Sequence, residues 1–249
     1  MKLNWIKSSL ILALLWQTVS LRAETLDIVA EQWPPYVDQA APQQGVAIDL
    51  ITTALVRARY DYNIDFQLWS RALEGGKLGV YDMIANIWYS DERARDLDYS
   101  EPYLINDMRL IKRKATPIKF NNMADLNGLM VGVVKDYAYP KEFASANNFI
   151  KVSNPALLPA IGELLKGRYD LVICDLNAIN YVLLKFLPTE SKNLEILPKS
   201  VGMSKLYVAV AKVNPKHKSI IKDFNEALRS MKQDGTYQSI IDQHTQRKP

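Results

Sequence analysis

The stretch WYSDERARDLDYSEPY, residues 88–103, brings five carboxylates, two arginines and four aromatic side chains together directly after a strand-like apolar run. Ser90 and Asp91 are residue types that commonly begin helices, so we predict a short helix there with Arg93 in its first turn. A helix start attracts anions, and the planar guanidinium of an arginine binds a carboxylate through two hydrogen bonds. Arg93 is therefore a candidate carboxylate-binding residue. The alternative is a salt bridge between Arg93 and a nearby acid, namely Glu92, Asp96 or Asp98.

Four further side chains stand where predicted strands end or helices begin. Asp175 closes the apolar strand-like run YDLVICD, and ligands of open α/β sheets bind at the carboxyl ends of strands. Alternatively, Asp175 caps the helix that follows it. Trp33 precedes a Pro-Pro pair at the end of a strand, so its ring is placed to stack on a ligand or hold a cation. Trp69 precedes a short helix, and both tryptophans could equally be core residues. Glu31, near Trp33, either meets a basic ligand group or is a solvated loop charge.

The first 23 residues have the order of features of a secretory signal peptide. Lys2 and Lys7 precede a short apolar run, Leu10–Trp16, and the segment ends in Leu-Arg-Ala. The run is shorter than the roughly 20 residues that span a bilayer. Removing this segment lowers the formal net charge from +4 to +1, because it holds three positive charges and no negative ones. A near-neutral exported chain gives no support for nucleic-acid binding.

The cysteine and histidine content argues against a disulfide and a metal site. Cys174 is the only cysteine, and it lies in the apolar run LVICDL, where we expect it to be buried. The two histidines, His217 and His244, lie in polar C-terminal segments away from other metal-ligand types. We therefore expect no metal and no cofactor.

Strand-like and helix-like segments alternate along the chain in two series, which predicts a largely parallel sheet in each. The first series runs from TLDIVA to an extended, charged stretch near residues 109–114. The second runs from LMVGVVK to an extended stretch near residues 205–210, and two helical segments split by Asp-Gly end the chain. Two α/β lobes joined by two extended crossovers have the layout of a hinged clamp that closes around a ligand.

Seven segments, in this order and over nearly the whole exported chain, resemble the periplasmic amino-acid-type solute-binding proteins (solute-binding family 3). They are IVAEQWPPYV, GVAIDLITTAL, WSRALEGGKLGVYDM, SDERARDLDYSEPY, LNGLMVGVVKDYAYP, GRYDLVICD and MKQDGTYQSIID. Each segment is a loose match alone, whereas the ordered set is specific. The Trp-Pro-Pro-Tyr opening is similar to a less characterised branch of the family.

The resemblance implies an α/β, two-lobed periplasmic-binding-protein fold, in which each lobe is a mainly parallel sheet flanked by helices and two hinge strands join the lobes. The signal peptide would occupy residues 1–23. Lobe 1 would comprise residues 24–112 and 205–249, and lobe 2 residues 113–204. The resemblance also implies that Arg93 binds the α-carboxylate of the ligand and that Asp175 binds its α-ammonium. Trp33 and Trp69 would line the side-chain pocket.

Two positions depart from the family's pattern. Many relatives have a serine or threonine shortly before the arginine, whereas Trp88 stands in that region of this chain. The first strand of lobe 2 usually leads to a glycine and hydroxyl residues, whereas here Asp136, Tyr137 and Ala138 follow. Backbone N–H groups around Ala138 and Tyr139 remain available as donors. We therefore add Trp88 and Ala138 to the predicted ligand-binding residues.

These features predict an exported binding protein that captures a small zwitterion, such as an amino acid, and delivers it to an ABC permease in the inner membrane. We expect a periplasmic monomer with no catalytic residue and no nucleic-acid partner. Two alternatives remain open. The same fold serves some cyclohexadienyl-type dehydratases, for which Glu31 or Asp136 would be the protonated carboxyl. It also serves as a ligand sensor for a membrane receptor.

Overall fold

The protein is described by a computed structural model over residues 24–246, so the predicted signal peptide lies outside the described residues. Ten strands of this part of the chain form one continuous sheet. They are β1 (Glu24–Glu31), β2 (Tyr60–Gln67), β3 (Met83–Trp88), β4 (Leu97–Tyr99), β5 (Leu104–Arg113), β6 (Met130–Val134), β7 (Ile150–Asn154), β8 (Leu171–Asp175), β9 (Leu194–Ile196) and β10 (Gly202–Ala211). The main path through the sheet has the order β2-β1-β3-β10-β5-β8-β6-β7.

The first lobe is built around β1, which pairs in parallel with both β2 and β3. Helix α1 (Val46–Arg57) connects β1 to β2, and helix α2 (Trp69–Lys77) connects β2 to β3. All six residues of β3 are buried, which explains why its sequence is apolar at every position except Asn86 and does not alternate. The carboxyl ends of β1 and β3 therefore lie next to each other at one edge of this lobe.

The second lobe repeats this arrangement around β6, which pairs in parallel with β7 and β8. Helices α3 (Lys141–Ser145) and α4 (Leu157–Leu165) follow β6 and β7, and α5 (Leu176–Lys185) follows β8 without an intervening loop. Strand β8 is buried at all five positions. Helix α3 spans only five residues, because the chain leaves the helix at Ala146, whose backbone is extended.

The chain ends in α6 (His217–Gln233) and α7 (Thr236–Gln246), which pack against α1 of the first lobe. The sequence predicts both helices because their apolar residues recur at helical spacing on either side of Asp234-Gly235. Gly235 adopts a left-handed backbone with φ of 83°, which a glycine reaches without steric cost. The first and the last elements of residues 24–246 thus contribute to the same lobe.

Two long strands run from one lobe to the other. The first half of β5 pairs antiparallel with the first half of β10, from Leu104↔Leu206 to Met108↔Gly202. The second half of β5 continues along β8 and β9 in the second lobe, whereas the second half of β10 continues along β3 and β4 in the first. The predicted boundaries at residues 112/113 and 204/205 fall within these two strands, and they remain a proposal.

The segment after β3 departs from the predicted short helix. It forms a single 3-10 turn, Arg93–Arg95, in which the hydroxyl of Ser90 accepts a hydrogen bond from the amide of Arg93 at 3.2 Å. The chain then enters β4 at Leu97, so only one turn fits between the two strands. Between residues 24 and 246, none of the helices combines the length and the apolar character that a membrane crossing requires.

Candidate functional site

The first candidate site residues lie together at the carboxyl ends of β1 and β3. Glu31 ends β1, Trp33 follows it, and Trp88 ends β3. Trp69 begins α2, so its indole lies beside the same edge. Because parallel neighbouring strands end at a common edge of the sheet, residues far apart in sequence meet there, as the sequence analysis requires.

Arg93 is buried next to this edge, with 7% of its surface exposed. One guanidinium nitrogen donates to the carbonyl oxygen of Trp88 at 2.7 Å, and the other donates to the carbonyl oxygen of Asp136 in the second lobe. The guanidinium carbon lies 5.1 Å from the centre of the Trp69 ring, which is cation–π distance. Burial lowers the pKa of Arg93, because the charged form loses its hydration.

The predicted alternative, a salt bridge from Arg93, does not form among the described residues. Asp96 pairs with Lys77 at 3.4 Å, and Asp98 pairs with the imidazole of His217 at 2.6 Å. Glu92 is exposed at the surface. A buried cation with carbonyl partners alone is costly unless an anion reaches it. Arg93 is therefore the strongest anion-binding candidate of the site.

Aromatic rings form the walls around Arg93. The rings of Trp33 and Trp88 meet edge to face at 5.5 Å, and the ring of Trp88 meets that of Tyr137 at 5.0 Å. The ring of Trp69 contacts Tyr137 from another side at 6.2 Å. The indole N–H of Trp88 donates to the side-chain oxygen of Asn106 at 2.8 Å, which fixes its orientation.

Glu31 faces this aromatic cluster and does not project into solvent. Its carboxylate accepts a hydrogen bond from the hydroxyl of Tyr137 at 3.0 Å. Burial raises the pKa of Glu31 to about 8, and the hydrogen bond from Tyr137 opposes this rise. The carboxyl of Glu31 is therefore protonated at neutral pH unless a positive group comes to lie beside it.

A cavity of about 10 Å³ remains between these groups, which is room for one water molecule. Six of the seven predicted ligand-binding residues line it, namely Glu31, Trp33, Trp69, Trp88, Arg93 and Ala138. Three lining residues were not predicted: Asn86, Tyr137 and Leu206. Asn86 stands two positions before Trp88 on β3, so the two-residue period of a strand places both on one face and would have revealed it.

Asp175 is the seventh predicted residue, and the structure places it behind the wall of the cavity, with 1% of its surface exposed. Its carboxylate accepts hydrogen bonds from the hydroxyl of Tyr36 at 2.9 Å and from the amides of Ala178 at 2.9 Å and Asp107 at 3.2 Å. Asp175 thus caps α5, as the alternative reading of the sequence expects, and also joins the two lobes through Tyr36. Its role as ammonium ligand remains a prediction.

Residues 24–246 contain no cluster of three or more side chains that is suited to hold a metal ion. Cys174 is buried, and its pKa is raised because burial disfavours the thiolate. The chemistry available at the cavity is therefore that of one buried guanidinium, one carboxyl of raised pKa and a set of aromatic walls. Such a set binds a small organic ion through opposite charges and stacking.

Comparison with known proteins agrees with this reading. The profile of the bacterial extracellular solute-binding proteins, family 3, matches residues 27–247. The chain belongs to this family. This family 3 protein is 26% identical over 222 residues to "ABC transporter arginine-binding protein 1" of Escherichia coli (strain K12), a match that covers 86% of the chain and 88% of the relative.

Solved structures show that the family 3 chain has the fold that the sequence predicts. A histidine kinase sensor domain with similarity to periplasmic binding proteins matches with a TM-score of 0.77 and 21% identity, covering 89% of this chain and 96% of that one. The amino acid ABC transporter substrate-binding protein AbpA from Streptococcus pneumoniae, bound to L-arginine, matches with a TM-score of 0.72 and 20% identity, covering 88% and 94%. The two-lobed α/β fold is thereby confirmed.

Proposed function

We propose that this family 3 protein is exported to the periplasm, where it captures an amino acid with a positively charged side chain between its lobes and delivers it to an ABC permease. The observation that carries the proposal is the pairing, in one cavity, of a buried guanidinium that lacks a carboxylate partner and a carboxyl of raised pKa. Arg93 holds the ligand's carboxylate, and Glu31 holds its positive side chain. The relative named as an arginine-binding protein and the solved structure bound to L-arginine support this ligand class.

The lobes close around the ligand because the ligand has contacts in both of them. Arg93 and Glu31 belong to the first lobe, whereas the backbone around Ala138 belongs to the second and faces the same cavity. A ligand that touches both lobes binds the closed form better than the open form, and this difference in affinity is what shifts a hinge equilibrium. The proposal includes a monomeric protein, since all the residues that it assigns to the ligand lie in one chain.

The test is a calorimetric titration of residues 24–249 after unfolding and refolding to remove bound ligand. Arginine, lysine and histidine are compared with neutral analogues of matched shape, citrulline for arginine and norleucine for lysine. We expect the cationic amino acids to bind at least tenfold more tightly, about 1.4 kcal/mol. Equal affinity for arginine and citrulline would show that Glu31 does not select the side chain. Absence of binding by every amino acid of the panel would refute amino-acid capture.

The pH dependence of affinity tests the role of Glu31. In the free protein the carboxyl keeps its proton up to a pKa of about 8, whereas pairing with a cationic ligand requires the carboxylate. Binding therefore releases a proton, and affinity for arginine should rise roughly 10- to 50-fold from pH 6 to pH 8. The neighbouring Tyr137, Tyr139 and Cys174 stay neutral over this range, because burial raises their pKa values.

Titration calorimetry at several pH values in buffers of different ionisation enthalpy measures both the affinity and the released proton. The matched variant is Glu31→Gln, which keeps the shape of the side chain and removes its titration. We expect this variant to bind arginine weakly and with a flat pH profile. A wild-type affinity for arginine that does not change between pH 6 and pH 8 would contradict the assignment of Glu31.

The raised pKa of Glu31 also favours a second candidate function, that of a cyclohexadienyl-type dehydratase. Such an enzyme needs a protonated carboxyl that gives its proton to a departing hydroxyl, which leaves as water while the ring carboxylate leaves as CO2 and its bonding electrons complete the aromatic ring. Glu31 meets the requirement of protonation at neutral pH. Incubation with a prephenate-like acid decides the matter, because aromatic product that forms with the wild type and not with Glu31→Gln would establish the enzyme.

A sensor role uses the same capture of ligand and differs only in the partner. The similarity in fold to a histidine kinase sensor domain is the observation that supports this alternative. Uptake of labelled ligand by intact cells, with and without the gene, separates the two. Loss of uptake on deletion supports delivery to a permease, whereas unchanged uptake supports a receptor as the partner.

A further inference from the structure

Asp136 and Tyr137, which follow Lys135 at the end of β6, reach from the second lobe to the candidate site of the first. The carbonyl oxygen of Asp136 accepts hydrogen bonds from the indole of Trp69 at 2.9 Å and from the guanidinium of Arg93. The carboxylate of Asp136 accepts a third bond from the hydroxyl of Ser70 at 3.0 Å. One dipeptide therefore satisfies polar groups that the first lobe presents to the cleft.

The ring of Tyr137 fills the space between the aromatic walls. It lies 5.0 Å from the ring of Trp88 and 6.2 Å from that of Trp69, both at nearly right angles, and its hydroxyl donates to Glu31 at 3.0 Å. The cavity that remains, about 10 Å³, is far smaller than any amino acid. A ligand of the proposed class therefore enters only if Tyr137 moves.

The backbone of Asp136 is held in an unfavourable conformation that aims this dipeptide into the cleft. Its φ of 60° lies in the left-handed region, which is strained for residues other than glycine, although aspartate and asparagine adopt it more readily than most. Such a conformation persists where surrounding contacts over-determine it. Here those contacts are the three hydrogen bonds that Asp136 accepts from Trp69, Ser70 and Arg93 of the other lobe.

We propose that Asp136-Tyr137 is a built-in occupant of the ligand site, which an incoming ligand displaces and which thereby sets the specificity of the cleft. The proposal rests on the proposed function, in which Arg93 and Glu31 hold the ligand. The carbonyl of Asp136 stands where the ligand carboxylate would meet Arg93, and the phenol of Tyr137 stands where the ligand side chain would meet Glu31. A ligand that replaces only one of the two contacts leaves the other polar group buried without its partner, so that it is rejected.

The first measurement is small-angle X-ray scattering of the stripped protein without any ligand. If the dipeptide ties the lobes together, Tyr137→Ala increases the radius of gyration relative to the wild type. Tyr137→Phe keeps the ring and loses only the hydrogen bond to Glu31, so its radius of gyration should increase less. This variant keeps the test valid if Tyr137→Ala does not fold. The control is Tyr169→Phe, which removes a hydrogen bond inside the second lobe. The hydroxyl of Tyr169 donates this bond to the side-chain oxygen of Asn154 at 3.1 Å, and Tyr169 does not line the cavity.

The second measurement is the affinity of each variant for arginine. A competing internal occupant lowers the apparent affinity, because the dissociation constant is divided by the fraction of protein in which the site is free. If about one molecule in ten has a free site, Tyr137→Ala binds arginine about tenfold more tightly than the wild type, and the affinity of the Tyr169→Phe control does not change. Affinity that falls or stays constant in Tyr137→Ala would make Tyr137 an ordinary wall of the pocket and overturn the proposal.

The two measurements separate failure of this inference from failure of the proposed function. If no amino acid binds the wild type or the Tyr137→Ala variant, amino-acid capture is refuted, and the scattering of the stripped protein decides alone whether the dipeptide ties the lobes. If amino acids bind and the radius of gyration is the same in Tyr137→Ala and the wild type, the proposed function stands and the internal occupant is refuted.

Discussion

Replacing Arg93 with alanine should weaken the binding of any amino acid at least 100-fold. The guanidinium is buried and makes hydrogen bonds to two carbonyl oxygens, and it forms no ion pair with a carboxylate of the described residues. A ligand carboxylate would supply the missing anion through charge-assisted bonds, each worth about 1.5–3 kcal/mol. Loss of two such bonds corresponds to roughly 100-fold or more in the dissociation constant. Isothermal titration calorimetry with the ligand identified from the panel measures the effect.

Arg95 offers a matched control for this experiment. It lies two residues further along the same turn and is exposed, so Arg95→Ala removes the same charge from the same segment. We expect Arg95→Ala to change the affinity less than twofold, because an exposed charge is screened by solvent and salt. Equal losses in the two variants would show that only the net charge of the segment matters, and near-wild-type binding by Arg93→Ala would remove Arg93 from the site.

The elements of the fold follow from the sequence wherever a local pattern decides them. The bounds of α6 and α7 match the predicted segments, because both helices carry an apolar face and a turn dipeptide separates them. Strand β8 is predicted because a fully buried strand needs an unbroken apolar run. The turn at Arg93–Arg95 is shorter than predicted, since the position of β4 against β10 decides where the turn ends, and no local pattern encodes that pairing.

Part of the candidate site could be predicted from two sources, the ends of the predicted strands and the family resemblance. These two sources place Glu31, Trp33, Trp69, Trp88, Arg93 and Ala138, which line one cavity. Tyr137 was missed as a site residue because its direction depends on the left-handed backbone of Asp136, a conformation that non-glycine residues seldom adopt. Local sequence patterns do not predict the hydrogen bonds of Asp175, because its partner Tyr36 lies 139 residues away in the chain.

Replacing Asp175 with alanine should lower the free energy of unfolding by about 3–5 kcal/mol. The carboxylate is buried and accepts three hydrogen bonds, from the hydroxyl of Tyr36 and from the amides of Ala178 and Asp107. Alanine leaves all three donors without an acceptor, and the helix α5 loses its cap. For a chain of this size the melting temperature should fall by roughly 6–20 °C, measured by scanning calorimetry.

Asp175→Asn separates the charge of this residue from its hydrogen bonds. Burial raises the pKa of Asp175 although the hydrogen bonds oppose the rise, so removing the charge costs little. The amide oxygen can still accept from Tyr36 and Ala178, which share one carboxylate oxygen, whereas the amide nitrogen cannot accept from Asp107. We therefore expect a loss of about 1–3 kcal/mol, intermediate between wild type and Asp175→Ala. Unchanged stability in both variants would refute the interlobe network.

The same pair of variants tests whether Asp175 also binds the ligand's ammonium, as the family resemblance implies. An ammonium ligand would make Asp175→Asn lose at least 100-fold in affinity, because a charge-assisted bond would be replaced by contact with a neutral amide. A purely structural Asp175 would leave the affinity of the folded Asp175→Asn within about tenfold of the wild type. Asp170→Ala is the control for stability, since Asp170 accepts one bond from the amide of Met130 at 2.8 Å near the other end of β8 and is only partly buried. Because stability and affinity are read from the same two variants, the contribution of Asp175 to the fold and its contribution to the ligand can be assigned independently.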